Sequence, residues 1–375
     1  MPDTQNNTSW FEAVFSDITV THNTSSNEIV FTDIMAYGLE LNYLSSPYTN
    51  IVTSYVAPVL IFITIVTNTL VVIVLLKKHM RSPTNVYLVG IAFSDMFTGF
   101  PVLAAWLYFS AMGNDREYVP YDWCFAYRIT TYLIPLIFHT ASIWITMALT
   151  IQRYIYVSHG LKARRWPCTN IRVIYCILTI YVISILSHLS EFISSTFKPI
   201  EVTSRVDPNQ TVITCFEVFN TWVADGVDLY FTIYFWFRVI CINLIPSIVL
   251  VVLNVLLICT LRSAERRRML LLKRNERRLS MKLKESNSTT SMLVVVVSLF
   301  LLVELPAGMF TFFVLIENTF EIDIIAKGSF SIITTTLNTL ILLSFPLNIC
   351  IYCGMSRQFR TTFKQLFSGH CFTIN

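Results

Sequence analysis

The chain contains seven apolar blocks, each long enough to cross a lipid bilayer as a single helix. A helix needs about 20 apolar residues to span the hydrocarbon core. The blocks lie at approximately 51–76, 84–109, 126–157, 171–196, 230–261, 289–316 and 326–352. Only 13% of the 375 residues are charged, whereas soluble domains carry roughly a quarter. We therefore predict an all-α membrane protein, a bundle of seven transmembrane helices.

The charges outside the apolar blocks predict how the bundle is oriented. The tail 1–50 carries six acidic residues and no Lys or Arg, whereas the segment 262–285 carries ten basic residues. Because basic loops stay on the cytoplasmic side, we expect an extracellular tail at 1–50, a seven-helix domain at 51–352 and a cytoplasmic segment at 353–375. We expect the protein to reside in the plasma membrane. Four N-x-S/T sequons, the acceptors of N-linked glycans, fall on the outer side. They begin at Asn6, Asn7, Asn23 and Asn209.

The nine cysteines indicate a disulfide rather than a metal site. One close pair, Cys350 and Cys353, lies within or beside the last apolar block, and no second pair accompanies it as a metal site requires. Cys124 and Cys215 are the two cysteines that lie outside the membrane blocks on the oxidising side. We predict that these two form a disulfide.

Seven spans fit a receptor, a transporter, a channel or a retinal protein. Transporters are built from internal repeats whose helices are interrupted by Gly or Pro. This chain shows no internal self-similarity and has only ten glycines, which disfavours a transporter. A polar residue inside a span is functional by default. The candidates are Asn68, Asp95, Ser142, Glu304, Asn338 and Asn348. In the third span, polar residues from His139 to Arg153 recur every three or four positions, so they share one face, which we expect to look into the bundle.

These residues lie in motifs that resemble those of rhodopsin-like G-protein-coupled receptors, over about 300 residues. The motifs are TNTLVV with Asn68, GIAFSD with Asp95, QRY with Gln152, Arg153 and Tyr154, NLIPSIVL with Pro246, FLLVELP with Phe300 and Pro306, and NICIYCGMSRQFR with Asn348 and Tyr352. The resemblance implies a seven-helix receptor with a short amphipathic eighth helix. It also implies that the residues of these motifs form the switch through which a heterotrimeric G protein is activated.

The chain departs from the family pattern at several switch positions. Gln152 replaces an acid, Glu304 a tryptophan, Asn254 a tyrosine and Ile349 a proline. Cys124 also lies about one helical turn further from the QRY triplet than the family spacing expects. These departures fall at the positions that control signalling in the family.

Longer stretches resemble a narrower group, the invertebrate neuropeptide receptors. FHTASIWITMALTIQRYIYVSHG, RRWPC and FPLNICIYCGMSRQFRTTFKQLF are similar to sex peptide/myoinhibitory peptide receptors and to related myosuppressin and FMRFamide-type receptors. The resemblance implies an amidated neuropeptide as agonist and inhibitory Gi/o-type G proteins as partners, with no role for nucleic acid. Pro135 and Leu342 stand where amine receptors and opsins place an aspartate and a lysine, which disfavours amine and retinal ligands.

Three side chains have two interpretations each. Arg153 either extends to the lipid headgroups or, as the resemblance implies, swings against the G protein. In the resting state Gln152 can restrain Arg153 only by a hydrogen bond, which is weaker than a charged pair. Asp95 either binds an allosteric sodium ion with Ser142 and Asn348, as in the family, or joins them in a structural cluster. Glu304 either is a neutral acid that joins two helices or transmits the push of the ligand.

Glu304 lies near the middle of the membrane, where a bare carboxylate is costly. It must face inward, and we expect its partner to be His139, Asn338 or Asp95. On the outer side, eleven acidic loop residues face four basic ones, which favours a cationic ligand. We expect the ligand to contact His139, Glu191, Glu217, Trp222, Arg238 and Asn338. Arg238 and Glu191 either line the pocket or pair with each other.

Two competing classes remain open at this point, a seven-span channel or transporter and a receptor for a non-peptide ligand. An enzyme is not indicated, because no nucleophile–base pair and no metal-ligand pattern is present. Agonist-dependent nucleotide exchange on a G protein, compared with uptake or current, separates a receptor from a transporter or channel.

Overall fold

The computed structural model describes residues 47–112, 118–158, 168–204, 207, 209–224, 226–273, 277–320, 322, 324–325 and 329–368. Seven helices in this part are long and apolar enough to cross a membrane. They are α1 Pro47–Leu75, α2 Pro83–Phe109, α3 Tyr121–Ser158, α4 Asn170–Ser187, α5 Thr232–Lys273, α6 Asn287–Glu317 and α7 Ser329–Met355. An eighth helix, α8, follows at Arg357–Ser368. The predicted seven-helix bundle with a short eighth helix is confirmed.

The helices α5 and α6 continue beyond their apolar segments. The helical backbone of α5 ends at Lys273, and that of α6 occupies Arg277–Phe320. The described parts of the basic stretch, 262–273 and 277–285, are therefore extensions of these two helices. The one described ion pair of this stretch joins Arg268 to Glu265, one turn apart, at 2.5 Å.

Three of the long helices widen into a π-helical turn just before a proline. These turns are Val52–Val56, Ile129–Leu133 and Arg238–Leu244, and each ends two residues before Pro58, Pro135 or Pro246. A proline lacks an N–H, and its ring clashes with the carbonyl four residues earlier. In a π turn the backbone hydrogen bonds join residues five apart instead of four, which displaces that carbonyl. The helix therefore continues through the proline. As a result, the side chains before each proline rotate relative to those after it.

The fourth span ends earlier than its apolar run predicts. The run continues to residue 196, but α4 ends at Ser187, and a short helix, Leu189–Ile193, follows. His188 breaks the helix with ψ near 8°. From Ser195 the chain becomes extended instead of helical.

An antiparallel β-hairpin connects α4 to α5. Its strands are β1 Ser195–Thr203 and β2 Thr211–Phe219, paired from Ser195 opposite Phe219 to Thr203 opposite Thr211. We call the end of the bundle that carries it the hairpin end, and the opposite end the α8 end. The hairpin is an addition to the predicted all-α fold. It is favoured locally by β-branched and aromatic residues in TFKPIEVT and TVITCFEVF.

The main apolar core lies toward the α8 end. Val74, Leu88, Ile145 and Leu149, from α1, α2 and α3, are all at most 1% exposed. Phe359 of α8 belongs to the same core. Helices α1 and α2 approach closely at Gly99, where a Cβ atom would lie 2.6 Å from Ile61 Cγ2. Small residues allow this kind of contact between membrane helices.

The helix α8 is fastened to the bundle along one face. Phe359 is buried, and Phe363 and Leu366 pack against the core. The hydroxyl of Thr362 lies 2.7 Å from His79 Nε2 in the connection between α1 and α2. The apolar face of α8 is therefore directed in part toward the protein.

Candidate functional site

The hairpin is attached to the start of α3 by a disulfide between Cys124 and Cys215. The Cα atoms of the two cysteines are 6.3 Å apart, and both residues are buried. The predicted pairing is confirmed. The hydroxyl of Thr214, next to Cys215, donates to the carbonyl of Val119 at 3.0 Å.

A buried ionic cluster lies one helical turn along α3 from the disulfide. The Arg128 guanidinium forms ion pairs with Glu217 of β2 and, at 3.4 Å, with Glu191. It also donates to the hydroxyl of Ser195, the first residue of β1. The sequence left open a pair between Arg238 and Glu191. The structure forms the ion pair between Glu191 and Arg128, while the charge of Arg238 also acts on Glu191 from nearby.

A second polar network lies below this cluster. His188 is fully buried; its Nε2 lies 2.9 Å from the hydroxyl of Thr140, and its Nδ1 lies 2.9 Å from that of Tyr234. The imidazole therefore joins α3, the end of α4 and α5. Sequence reasoning missed His188 and Arg128, because neither lies in a motif and their partners come from distant segments.

We infer a central cavity between α3, α5 and α6 from three side chains. His139 is surrounded by protein, yet 23% of its side chain is exposed. Tyr132, seven residues earlier on α3, is also partly exposed and accepts a hydrogen bond from Arg238 of α5 at 3.4 Å. A charged side chain in a membrane helix does not face lipid. The accessible surface of Arg238 and His139 therefore faces an internal space.

Glu304 lies at the base of this cavity and is paired with His139. Its Oε1 is 3.5 Å from His139 Nε2, and the carboxylate is 8% exposed. His139 was one of the three partners expected. Asn338, the second, is exposed on α7, and Asp95, the third, accepts a hydrogen bond from Ser142 Oγ at 2.8 Å.

The other members of the expected polar core lie apart from Asp95. Asn68 is buried and donates to the carbonyl of Thr64 in its own helix at 3.1 Å. Asn348 is half-buried on α7, and no described hydrogen bond joins its side chain to Asp95. Of the proposed set, the structure therefore brings together Asp95 and Ser142.

Arg153 lies near the α8 end of α3 without an acidic partner among the described residues. Its guanidinium carbon is 6.0 Å from the ring centre of Tyr156, one turn further along. The buried Oε1 of Gln152 has no hydrogen-bond partner in the part of the chain that the structure describes. The hydrogen bond that Gln152 was expected to offer Arg153 is not formed. The restraint on Arg153 is a cation–π contact.

Asn254 of α5 bonds to α6 rather than to α7. Its amide nitrogen donates to Ser298 Oγ at 2.9 Å. Tyr352 of α7 is buried and packs on Phe359 of α8, with 5.7 Å between the ring centres. Asn254, which replaces a tyrosine of the family pattern, therefore links α5 directly to α6.

The remaining predicted residues occupy separate places. Trp222 is 51% exposed, packs edge-on against Tyr230 and donates to the carbonyl of Ile193 at 3.2 Å. Phe300 is partly buried against the cluster of Leu250, Val297 and Leu301, and Pro306 lies within the continuous helix α6. Asn209 is exposed in the turn of the hairpin. The other sequon asparagines, Asn6, Asn7 and Asn23, lie outside the described residues.

Comparison with known proteins identifies the fold family. The family of serpentine-type seven-transmembrane G-protein-coupled chemoreceptors, Srw, matches residues 55–370. The sex peptide receptor of Drosophila melanogaster is 41% identical over 318 residues, which is 84% of this chain and 72% of that receptor. The chain belongs to the G-protein-coupled receptors. The receptor is accordingly a multi-pass membrane protein of a family that is not enzymatic.

Two further relatives are similar to the receptor. The sex peptide receptor-related protein 2 of Caenorhabditis elegans is 34% identical over 325 residues, 84% of this chain and 71% of that protein. The human thyrotropin-releasing hormone receptor is 34% identical over 137 residues, 32% of each chain. The resemblance to rhodopsin-like receptors, and to sex peptide receptors among them, is confirmed. A channel or transporter is not supported.

Proposed function

We propose that the receptor is activated by an amidated neuropeptide and signals through inhibitory Gi/o-type G proteins. The observation that carries the proposal is similarity along 84% of the chain to a protein named as a receptor for a peptide. In the proposed orientation the hairpin end, the tail 1–50 and the glycans at Asn6, Asn7, Asn23 and Asn209 are extracellular. The basic extensions of α5 and α6 and the helix α8 are cytoplasmic.

The central cavity fits a peptide end that carries both donors and acceptors. Arg238 and Tyr132 offer donors toward the cavity, and Glu304 with His139 lies deeper. A C-terminal carboxamide supplies a carbonyl for Arg238 and an NH₂ group for acceptors. A free carboxylate instead adds negative charge to a site that already holds Glu304 and lies near the acidic outer loops. We therefore expect the amidated form to bind and the acid form to bind poorly.

The pair of His139 and Glu304 is proposed as the coupling element. His139 lies on α3 and faces the cavity, and Glu304 lies two residues before Pro306 in α6. A ligand that displaces His139 changes the environment of a buried carboxylate. An unpaired carboxylate is costly in this position, and movement of α6 relieves that cost. Movement of α6 then separates Asn254 from Ser298 at the α8 end.

Asp95 and Ser142 are the residues that would hold a sodium ion. Asp95 is 1% exposed, and a buried carboxylate with a hydroxyl beside it suits a monovalent cation. A bound ion would neutralise Asp95 in this receptor state. Agonist potency that stays the same when sodium is replaced by a bulky organic cation would contradict this assignment.

The experiment that tests the proposed function is a ligand screen with a direct G-protein readout. Receptor in membranes is mixed with purified Gi, Gs or Gq and challenged with amidated peptides and with their free-acid forms. We expect amidated peptides to stimulate nucleotide exchange on Gi selectively. Equal potency of acid and amide forms would contradict the ligand assignment, and exchange on Gs or Gq alone would contradict the coupling.

A further inference from the structure

Arg128 ties together three segments of the hairpin end. Its Nη1 donates to Glu217 of β2 and to Ser195 of β1, and its Nη2 donates to the carbonyl of Glu191 at 3.2 Å and to the carboxylate of Glu191 at 3.4 Å. The hydroxyl of Ser195 also donates to the carboxylate of Glu217. We call Arg128, Glu191, Ser195 and Glu217 the ionic clasp. Each of its members is at most 8% exposed.

The position of the clasp follows from the geometry of a strand lying beside a helix. Cys124 and Arg128 are one helical turn apart, about 6 Å along the axis. Cys215 and Glu217 lie on the same face of β2, about 6.6 Å apart. Because the two spacings nearly match, the disulfide and the ion pair form successive contacts between the same two elements. Arg128 stands about where the family spacing expects the cysteine.

The ionic clasp fixes the orientation of the hairpin, which a single disulfide does not. A disulfide fixes the hairpin at one point, about which the strands can still rotate. Arg128 fixes β2 at a second point, and through Ser195 and Glu191 it also fixes β1 and the end of α4. Two points of attachment define the orientation of the hairpin relative to α3.

The clasp also changes the role of its two carboxylates. Glu191 and Glu217 were expected to contact the ligand, but both are buried and directed at Arg128. Burial raises the pKa of Glu217 above its ordinary value, against the opposing influence of the Arg128 charge. A cationic ligand group would have to displace Arg128 to reach either carboxylate. The clasp is therefore part of the framework rather than the ligand contact.

We propose that Arg128 is a positioning residue that holds the hairpin across the route by which a peptide enters and leaves the receptor. This proposal rests on the proposed peptide function. Removing one partner of a buried ion pair costs more than the pair contributes, since the remaining charges stay buried without compensation. Replacing Arg128 by a neutral residue leaves two carboxylates facing each other and drives the hairpin away from α3. The ligand then exchanges faster in both directions.

The test compares ligand kinetics in five receptors at matched surface expression: wild type, Arg128→Gln, Glu217→Arg, the charge exchange Arg128→Glu with Glu217→Arg, and the control Lys198→Gln. We expect Arg128→Gln to accelerate dissociation of a labelled amidated peptide about tenfold without slowing association. The charge exchange restores the pair between positions 128 and 217 but places a carboxylate beside Glu191, so it should return the dissociation rate part of the way to that of the wild type. Lys198→Gln is the matched control, because Lys198 is an exposed cation of the same hairpin outside the clasp.

A second measurement needs no peptide. The Cys124–Cys215 disulfide is challenged with a membrane-impermeant reductant, and we expect it to be reduced faster in Arg128→Gln than in the wild type or Lys198→Gln. If no peptide binds the wild type but reduction is faster, the proposed function fails and the clasp stands. Unchanged peptide kinetics and unchanged reduction at equal expression would overturn the clasp. Loss of surface expression in both single variants, with no recovery in the charge exchange, would also overturn it, because Arg128 would then serve folding alone.

Discussion

The imidazole of His139 lies 3.5 Å from the carboxylate of Glu304, so α3 and α6 are joined by a polar pair at the base of the central cavity. Two substitutions separate a structural from a signalling role for this pair. Glu304→Gln keeps the size and hydrogen bonds but removes the charge, whereas Glu304→Leu removes both. We expect both variants to reach the surface, Leu to abolish the agonist response, and Gln to alter basal activity or potency. Wild-type signalling from the Leu variant at matched expression would mean that the pair only joins the helices.

The weak restraint on Arg153 predicts basal signalling. In this structure Arg153 is held by a contact with the ring of Tyr156, and such contacts contribute about 0.5–1 kcal/mol at exposed sites. Gln152→Glu places a carboxylate beside the guanidinium and should lower agonist-independent nucleotide exchange severalfold. The matched comparison is Gln152→Ala, which supplies no charge. Equal basal exchange in Gln152→Glu and wild type would show that Gln152 does not control the resting state.

The two cysteines should behave as one unit. Cys124→Ser and Cys215→Ser each remove the same bond, so each should lower surface expression or peptide binding, and the double variant should be no worse than either single variant. Ligand binding on intact cells measures both quantities. Additive losses in the double variant would contradict the pairing.

Mild acid should loosen the hairpin through Glu217. Since the pKa of this buried carboxyl is raised, the folded receptor takes up its proton at a higher pH than an ordinary glutamate does. The folded state therefore binds this proton more tightly than the unfolded state does. Protonation of Glu217 does not lower the free energy of unfolding, so acidification does not unfold the receptor through this group. It neutralises one partner of Arg128 instead. Peptide dissociation should therefore accelerate from neutral to mildly acidic pH, and the profile of Glu217→Gln should be flatter; identical profiles would exclude Glu217 as the titrating group.

The elements that the sequence predicted are those that depend on local pattern. Apolar length predicts the seven helices, and helical periodicity predicts that His139 and Ser142 share the inward face of α3. The place of Ser142 beside Asp95 was implied by the family resemblance, and His139 was one of three expected partners of Glu304. The hairpin was missed because its pairing joins Ser195 to Phe219 across 24 positions, and the apolar run through residue 196 resembles a continuing helix. Register between distant strands is not set by local pattern.

The clasp was missed for the same physical reason. CFAYR and CFEVF each contain a cysteine and a charged residue at the spacing of one face, and this is the signal that was present. This spacing predicts an ion pair only when the disulfide places the two faces against each other. Glu191 is added by the turn at His188, which no periodicity indicates. The π turn before Pro135 also rotates the start of α3 relative to the rest of the helix, so helical spacing does not extend across it.

We propose that this receptor converts binding of an amidated peptide into activation of a Gi/o-type G protein. The most direct measurement is nucleotide exchange on purified Gi with the receptor in membranes, at increasing concentrations of an amidated peptide and of the same peptide with a free C-terminal acid. We expect saturable stimulation by the amide, at least about tenfold weaker stimulation by the acid, and none in Glu304→Leu. Equal stimulation by both forms, or an undiminished response in Glu304→Leu at matched expression, would contradict it.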